Sequence, residues 1–461
     1  MLNVTRALAG AVLATVVLAG TATASPTDTP YRRLSGSLDS GASWIADVPA
    51  DWNGVLLLFG HGYRPPGGDN PAQNAPDPDT AAALLDRGYA LAGSSYATAG
   101  WTLDTAADDQ LATLAAVTAE LGEPRRTIAV GQSMGGLVTA QIAERDDSGV
   151  DAALALCGLV AGGVGLLDFQ LDGAHALAQL LLPGEEVPLA GFADAAQVHQ
   201  VTARLLEAIE SARHTPQGRA RVALAAALFH LPTWHGDGAP PEDPAGRAEA
   251  QVLGMIETLP FILPARLDIE SRAGGNASTN VGVDYRALLQ PSATKDLVGT
   301  LYREAGLDLH TDLDRLTATA ATSADPAARE WLTRTSTITG ELDVPVLTVH
   351  TVADALVPVQ FEDDYADRVR TAGEKADLRT AFVDRTGHCT FTPAEVVAAV
   401  EAVVARVETG RWGGSATTVR CAGRAPRAAS ARPSSSTTGR ASSSARRAAD
   451  ESANGTFAQT C

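Results

Sequence analysis

The sequence predicts an α/β fold: a mostly parallel, doubly wound sheet interrupted by a large helical insertion. Three observations predict it. Residues 55–157 alternate short apolar runs with helical patterns as β-α-β-α-β-α-β, the signature of parallel strands joined by crossover helices. The same alternation returns over residues 344–407. Between them, from about Gly158 to Gly340, helical patterns occur without a convincing strand. The expected organisation is an export segment (1–24), an α/β core (25–157 and 341–412), a helical cap inserted at 158–340, and a tail (413–461).

The elements follow in order. Arg6, the apolar or small run Ala7 to Gly20, and Ala22-Thr23-Ala24 before Ser25-Pro26 read as a signal peptide with an A-x-A cleavage site. The other reading, a membrane anchor, is disfavoured by the shortness of the run, and no later segment reads as transmembrane. Tyr31 to Leu38 and Ala42 to Asp47 read as two strands around Asp39-Ser40-Gly41. Val55 to Phe59 is a buried strand entering Gly60-His61-Gly62-Tyr63, and Pro65 to Asp79 is a loop rich in Pro, Gly, Asn and Asp. Thr80 to Arg87 is a helix stopped by Gly88, Tyr89 to Ser94 a strand, and Asp104 to Leu121 a helix stopped by Gly122. Thr127 to Val130 is a strand and Leu137 to Ala143 a helix, and Val150 to Leu156 is a strand again.

In the insertion, Leu177 to Leu182, Val201 to Ser211, Arg219 to Phe229 and Pro244 to Thr258 are helix candidates. A cap over the carboxyl edge of the sheet is expected because ligands of open α/β sheets bind there; an independent helical domain is the alternative. Val344 to Val349 and Leu378 to Val383 are the last strands, with helices at Phe361 to Arg370 and Pro393 to Val407. After Trp412 the composition turns to Ala, Arg, Ser, Gly and Thr, which cannot bury a core, so disorder is expected. The Asn276-Ala277-Ser278 and Asn454-Gly455-Thr456 sequons carry little weight.

The net charge of −19 is held by the body: residues 413–461 carry seven arginines against Asp450 and Glu451. Such a body repels phosphate, so no nucleic-acid partner is expected. Four cysteines (Cys157, Cys389, Cys421, Cys461) permit disulfides in an exported chain. There is no HExxH and no dense His/Cys/Asp cluster, so neither a metal nor another cofactor is expected.

The chemistry centres on Gly131-Gln132-Ser133-Met134-Gly135-Gly136, between a strand and a helix. A serine on so tight a turn takes a strained backbone, so its neighbours two away must lack side chains; its hydroxyl then stands clear of the sheet at the positive end of the helix. The motif alone also arises in ordinary glycine-rich loops, so the rest of the chain must supply a base, an acid and an oxyanion hole. Among nine histidines, His388 follows the final strand in Thr386-Gly387-His388-Cys389. His230 and His235 fall in the insertion, where an ordinary polar position competes with a substrate contact. His350 ends a strand and reads as a partly buried histidine bonded to backbone. For the acid, Asp354 follows the strand that ends near His350; Asp343 falls at the wrong edge, and Asp384 is the runner-up.

These residues resemble the α/β-hydrolase fold over residues of about 31–157 and 340–410. The match lies in Gly-His-Gly after the third strand, the Gly-Gln-Ser-Met-Gly-Gly elbow, Asp-x-x-Val-Pro after the seventh strand and Gly-His after the eighth, in the order Ser133, Asp354, His388. The resemblance implies Ser133 as nucleophile, His388 as base then acid, and Asp354 as its orienter. It implies the backbone N–H groups of Met134 and Tyr63 as the oxyanion hole, with Gly131, Gly135, His61 and Gly62 in support. The pair His388-Cys389 also resembles the tannase and feruloyl-esterase group, where that cysteine is bridged to one just before the serine; Gln132 stands there in this chain. A Cys157–Cys389 bridge is the expectation that follows, with two buried free thiols as the alternative.

The expected function is that of a secreted serine hydrolase acting on small or polymeric carboxylic esters through an acyl-enzyme. Trp234, Phe229 and Phe261 are candidate pocket residues that could equally be core. The alternatives are a secreted peptidase of the same fold and a non-catalytic binding protein that keeps it.

Overall fold

The computed structural model describes residues 31–413. The expected export segment, the tail beyond residue 413, Cys421, Cys461 and the Asn454 sequon lie outside the described residues. The chain begins with β1 (Tyr31–Ser37), β2 (Ser43–Pro49) and β3 (Val55–Gly60), then α1 (Pro78–Leu85), β4 (Ala90–Ser94) and α2 (Ala106–Leu121). Next come β5 (Arg126–Gln132), α3 (Met134–Ala143) and β6 (Ala152–Leu156). Eight helices follow without a strand: α4 (Gly162–Leu181), α5 (Ala195–Ala212), α6 (Pro216–Leu228), α7 (Pro244–Ala273), α8 (Tyr285–Leu289), α9 (Lys295–Glu304), α10 (Leu309–Thr319) and α11 (Pro326–Ser336). The last elements are β7 (Val346–Ala353), α12 (Phe361–Ala372), β8 (Leu378–Thr386) and α13 (Pro393–Thr409).

The eight strands form one sheet in the order β1-β2-β4-β3-β5-β6-β7-β8. β2 pairs antiparallel with both β1 and β4, and every other pair is parallel. All residues of β3, β4 and β6 are buried, because helices cover both faces and leave no side of these strands wet. One face packs on α1 and α13 through Leu84, Leu85, Val396, Val400 and Val403. The other packs on α2, α3 and α12 through Ala106, Leu137, Val138, Phe361 and Tyr365. α13 starts with a capping box between Thr392 and Glu395 and ends at left-handed Gly410, so both its ends have their backbone groups satisfied.

The register aligns the strand ends that matter. Gly60 pairs with Gly131, Gln132 with Leu156, and Leu156 with Val349. Beyond that line β7 and β8 run on together to Ala353 and Thr386, past an irregularity between Thr351 and Ala353. The residues that follow β3, β5, β6, β7 and β8 therefore emerge at one carboxyl edge.

The helices α4–α10 enclose a core of their own, with Leu177, Leu205, Leu224, Phe229, Met255 and Tyr302 buried within it. α4 is longer than the pattern at Leu177–Leu182 implied, and α8 to α11 left no clear signal in the sequence. The largest departure is α7. The sequence pattern ended this helix at Thr258, before Pro260, yet it continues through Pro260 and Pro264 to Ala273. Both prolines, four residues apart, lie on the exposed stripe with Leu253, Glu257 and Phe261. The carbonyls that lose an N–H partner there face water, and packing of the opposite stripe holds the helix together.

Candidate active site

Ser133 stands between β5 and α3 with φ 58° and ψ −121°, a left-handed conformation that a non-glycine residue adopts only where its surroundings enforce it. Its N–H donates to Leu156 O at 2.9 Å, and its carbonyl accepts from Gly136 N at 2.9 Å. Glycine at 131 and 135 is required by space. A Cβ on Gly131 would strike Gly135 O and Thr139 Oγ1, and one on Gly135 would strike Gly60 O and His61 O. The elbow is thus packed backbone to backbone against the end of β3.

The structure brings the three sequence-selected side chains together. Ser133 Oγ donates to His388 Nε2 at 2.8 Å, and His388 Nδ1 donates to Asp354 Oδ2 at 2.6 Å. Asp354 Oδ1 accepts from the N–H groups of Leu356 and Val357, both at 2.9 Å, so the turn after β7 holds the carboxylate rigidly. Asp354 is fully buried, whereas His388 and Ser133 remain partly open to solvent. Burial would raise the Asp354 carboxyl, but His388 and His350 outweigh it and hold the group below the usual carboxylate range. With a carboxylate on Nδ1, the neutral imidazole presents a bare Nε2 to the hydroxyl, the tautomer that can take its proton.

The loop after β3 lies against Ser133. A Cβ on Gly62 would come within 3.2 Å of Ser133 Cβ, so glycine lets the backbone of Gly62-Tyr63 run beside the serine. Among the described residues, the N–H groups of Met134 and Tyr63 have no hydrogen-bond acceptor. His61 braces this loop, with Nδ1 2.7 Å from Gly62 O and Nε2 3.0 Å from Ser95 O. Burial, helped by Arg64, pushes the His61 imidazole down to about 4, so at neutral pH the ring donates from one nitrogen at a time. Tyr96, at φ 56°, donates its hydroxyl to His61 O at 3.1 Å.

Cys157 and Cys389 are bonded through sulfur, with Cα atoms 5.4 Å apart. The bridge ties the end of β6 to the residue after His388. Cys157, His388 and Cys389 also form the one grouping of metal-ligand size among the described residues, and its two sulfurs are committed to each other.

Sequence reasoning missed several residues here. Asp268 on α7 accepts from Trp101 N at 2.7 Å and Arg272 Nε at 3.1 Å. Burial first, and the Asp268 charge second, push the Tyr63 hydroxyl well above its ordinary value. Gly100 N in turn donates to Arg64 O at 2.8 Å, joining the loops after β3 and β4. Nothing in the local pattern marks Asp268, since it lies past both prolines. The insertion touches two further loops at this edge. Thr258 Oγ1 donates to Ala355 O at 3.2 Å, and Thr386 Oγ1 donates to Gly236 O at 3.0 Å. Of the candidate pocket residues, Phe229 is wholly core, against Gly173 and Phe169, while Phe261 is 40% exposed with its ring edge-on to Tyr63 at 5.8 Å. Trp234 is half-buried and donates to Gly238 O.

No protein-family model matches the chain. A comparison with known proteins finds an o-phthalyl amidase of Xanthobacter agilis that is 30% identical over 408 residues, spanning 82% of this chain and 87% of the relative. The chain belongs to the α/β-hydrolase superfamily. Solved structures similar to this α/β-hydrolase include feruloyl esterase B from Aspergillus oryzae, at 16% identity and a TM-score of 0.39, covering 82% of this chain and 81% of that one. Another is the proline iminopeptidase of Mycobacterium smegmatis, at 16% identity and a TM-score of 0.35, covering 82% and 99%. Among the described residues of this α/β-hydrolase, no helix is long and apolar enough to cross a membrane.

Proposed function

We propose that this chain is a serine hydrolase that cleaves carboxylic esters through an acyl-enzyme, with Ser133, His388 and Asp354 as its catalytic residues. The observation that carries the proposal is the unbroken hydrogen-bond series Ser133–His388–Asp354, at 2.8 and 2.6 Å. A serine hydroxyl gains nucleophilicity only when a positioned base removes its proton, and the base needs an acid to fix its tautomer.

In this reading Ser133 Oγ attacks the acyl carbon as its proton passes to His388 Nε2. The carbonyl oxygen becomes an oxyanion and turns toward the unpartnered N–H groups of Met134 and Tyr63. One such donor is typically worth about 3 kcal/mol to the transition state. The tetrahedral adduct then breaks its bond to the leaving oxygen, which takes the proton from His388. Water next attacks the acyl-enzyme, gives its proton to His388, and the collapse returns that proton to Ser133. Asp354 stays ionised throughout and stabilises the imidazolium.

The helices α4–α11 act as a cap in this proposal. Contacts of this insertion through Gly236, Thr258 and Asp268 reach the end of β8 and the loops that follow β7 and β4. Export fits the Cys157–Cys389 bridge, since such bonds persist in oxidising compartments.

A second reading, hydrolysis of an amide, is favoured by the relationship to the amidase. The same residues serve it, because the imidazolium protonates a leaving nitrogen as readily as an oxygen. The deciding experiment measures p-nitrophenyl esters of increasing acyl length beside o-phthalyl amides, with Ser133→Ala as control. Ester turnover that vanishes in the variant supports the proposal, and turnover confined to amides favours the second reading. Turnover unchanged in Ser133→Ala overturns both.

A further inference from the structure

Behind the Asp354 carboxylate lies a second imidazole. His350, on β7, is completely buried, and so is Glu362 in the first turn of α12. His350 Nδ1 lies 3.0 Å from Glu362 Oε1, and its Nε2 lies 3.0 Å from Val357 O and 3.5 Å from Asp354 Oδ2. The other Glu362 oxygen accepts from Thr348 Oγ1 at 2.5 Å. The sequence pattern left His350 as a partly buried residue bonded to backbone; it is instead wholly enclosed and shared between two acids.

The atoms around the ring decide its proton count. A backbone carbonyl only accepts, so Nε2 carries a hydrogen. A carboxylate also only accepts, and unlike the two carbonyls facing His61 it carries a charge that offsets burying a second proton, so Nδ1 carries one too. A ring with both nitrogens protonated is a cation. The alternative, two buried carboxylates flanking a neutral ring, would leave two uncompensated negative charges out of water.

We propose that His350 is a positioning residue for the reaction: an imidazolium, bonded to Glu362, that braces the turn of Asp354 from behind and sets the charge His388 meets. The inference rests on the triad reading above. The bond to Val357 O fixes the very turn whose N–H groups hold Asp354 Oδ1. Asp354 Oδ2 then sits between two histidines, His388 toward the substrate side and His350 toward the core. Among the described residues no Arg or Lys is bonded to Asp354 or Glu362, so His350 is the fixed cation of the group. Tyr365, one turn along α12, is a buried phenol that burial keeps neutral. Burial opposes a charge on His350, yet its bonds to Asp354 and Glu362 outweigh this and push the ring up to about 10.

The test compares rates of Ser133 labelling by a fluorophosphonate across pH in wild type and His350→Gln. Labelling reads the activated hydroxyl without needing the natural substrate. Without the His350 charge, Asp354 is less neutralised and presents more of its negative charge to the Ser133–His388 pair. The acid limb of the profile should rise by about one pH unit, with slower labelling at pH 7. A uniform fall with an unmoved limb would mean a merely structural role and would overturn the proposal. Should the variant not fold, nitrogen-15 NMR of histidine-labelled wild type decides instead. It should show one buried imidazolium with both N–H groups at pH 8, and a neutral tautomer at His350 would overturn the proposal. Labelling that persists in Ser133→Ala would sink the triad reading itself and is separable from both outcomes.

Discussion

Cys157 and Cys389 are joined across the carboxyl edge of the sheet, the first one residue past β6 and the second one residue past His388. Both take left-handed backbones, at φ 44° and 56°. The bridge closes a separation of 232 residues and fixes the loop that carries the histidine. Cys389→Ser should cost about 2–5 kcal/mol of stability and slow fluorophosphonate labelling of Ser133 several-fold. Chemical denaturation and labelling kinetics check this; full labelling rates after reduction and alkylation would show that the loop holds itself.

Space around two glycines gives two predictions of opposite sign. Gly131→Ala must push a methyl group into Gly135 O and Thr139, neither of which can move freely, so the loss should reach about 3 kcal/mol. Gly299 lies within α9, and a Cβ there would meet only the end of the Arg303 side chain at 3.6 Å. Gly299→Ala should stabilise the protein by about 0.5–1 kcal/mol through helix propensity. Paired melts of the two variants test the packing directly.

Asp268 links α7 to the loop that carries Tyr63. Its removal in Asp268→Ala frees the Trp101 N–H and loosens the path through Gly100 and Arg64. If Tyr63 N–H serves the oxyanion as proposed, a donor displaced rather than deleted should lower kcat by about tenfold, less than the loss of a whole donor, with KM little changed. An unchanged kcat would mean that the loop is held by His61 and Tyr96 alone.

Two buried histidines bias stability in opposite directions with pH. His61 titrates near 4 in the fold because burial and Arg64 lower it, and near 6.5 when unfolded. Its contribution is present above about 6.5 and is lost as pH falls toward 4, at about 1.4 kcal/mol per pH unit. His350, raised to about 10, contributes fully below about 6.5 and loses that contribution as pH rises through about 10. Denaturation profiles should therefore converge with His61→Gln at acid pH and with His350→Gln at alkaline pH. Parallel profiles would refute the assignments.

Much of the candidate site was legible because its parts sit at strand ends. Ser133 follows β5 directly, Asp354 follows β7 directly, and His388 comes two residues after β8, so locating the strands located the three side chains that meet. The fold class was equally legible, since buried parallel strands write continuous apolar runs such as Val55–Gly60. What stayed hidden depends on contacts that leave no local period. Pro260 and Pro264 read as a helix stop, because their tolerance comes from which stripe of α7 faces water. Glu362 looks like an ordinary acid in a first helical turn, and only the packing of α12 on β7 places it against His350. Asp268 gains its role from loops more than 160 positions away.

The helices between β6 and β7 meet the sheet at Ala355, Thr386 and Trp101, each within a few residues of a loop that holds Asp354, His388 or Tyr63. On the proposed function, an engineer who exchanged that helical layer for another would redraw the substrate's surroundings and disturb the loops of Asp354, His388 and Tyr63 in the same stroke. On that reading selectivity and rate are not separable modules, and laboratory evolution of one will carry the other with it.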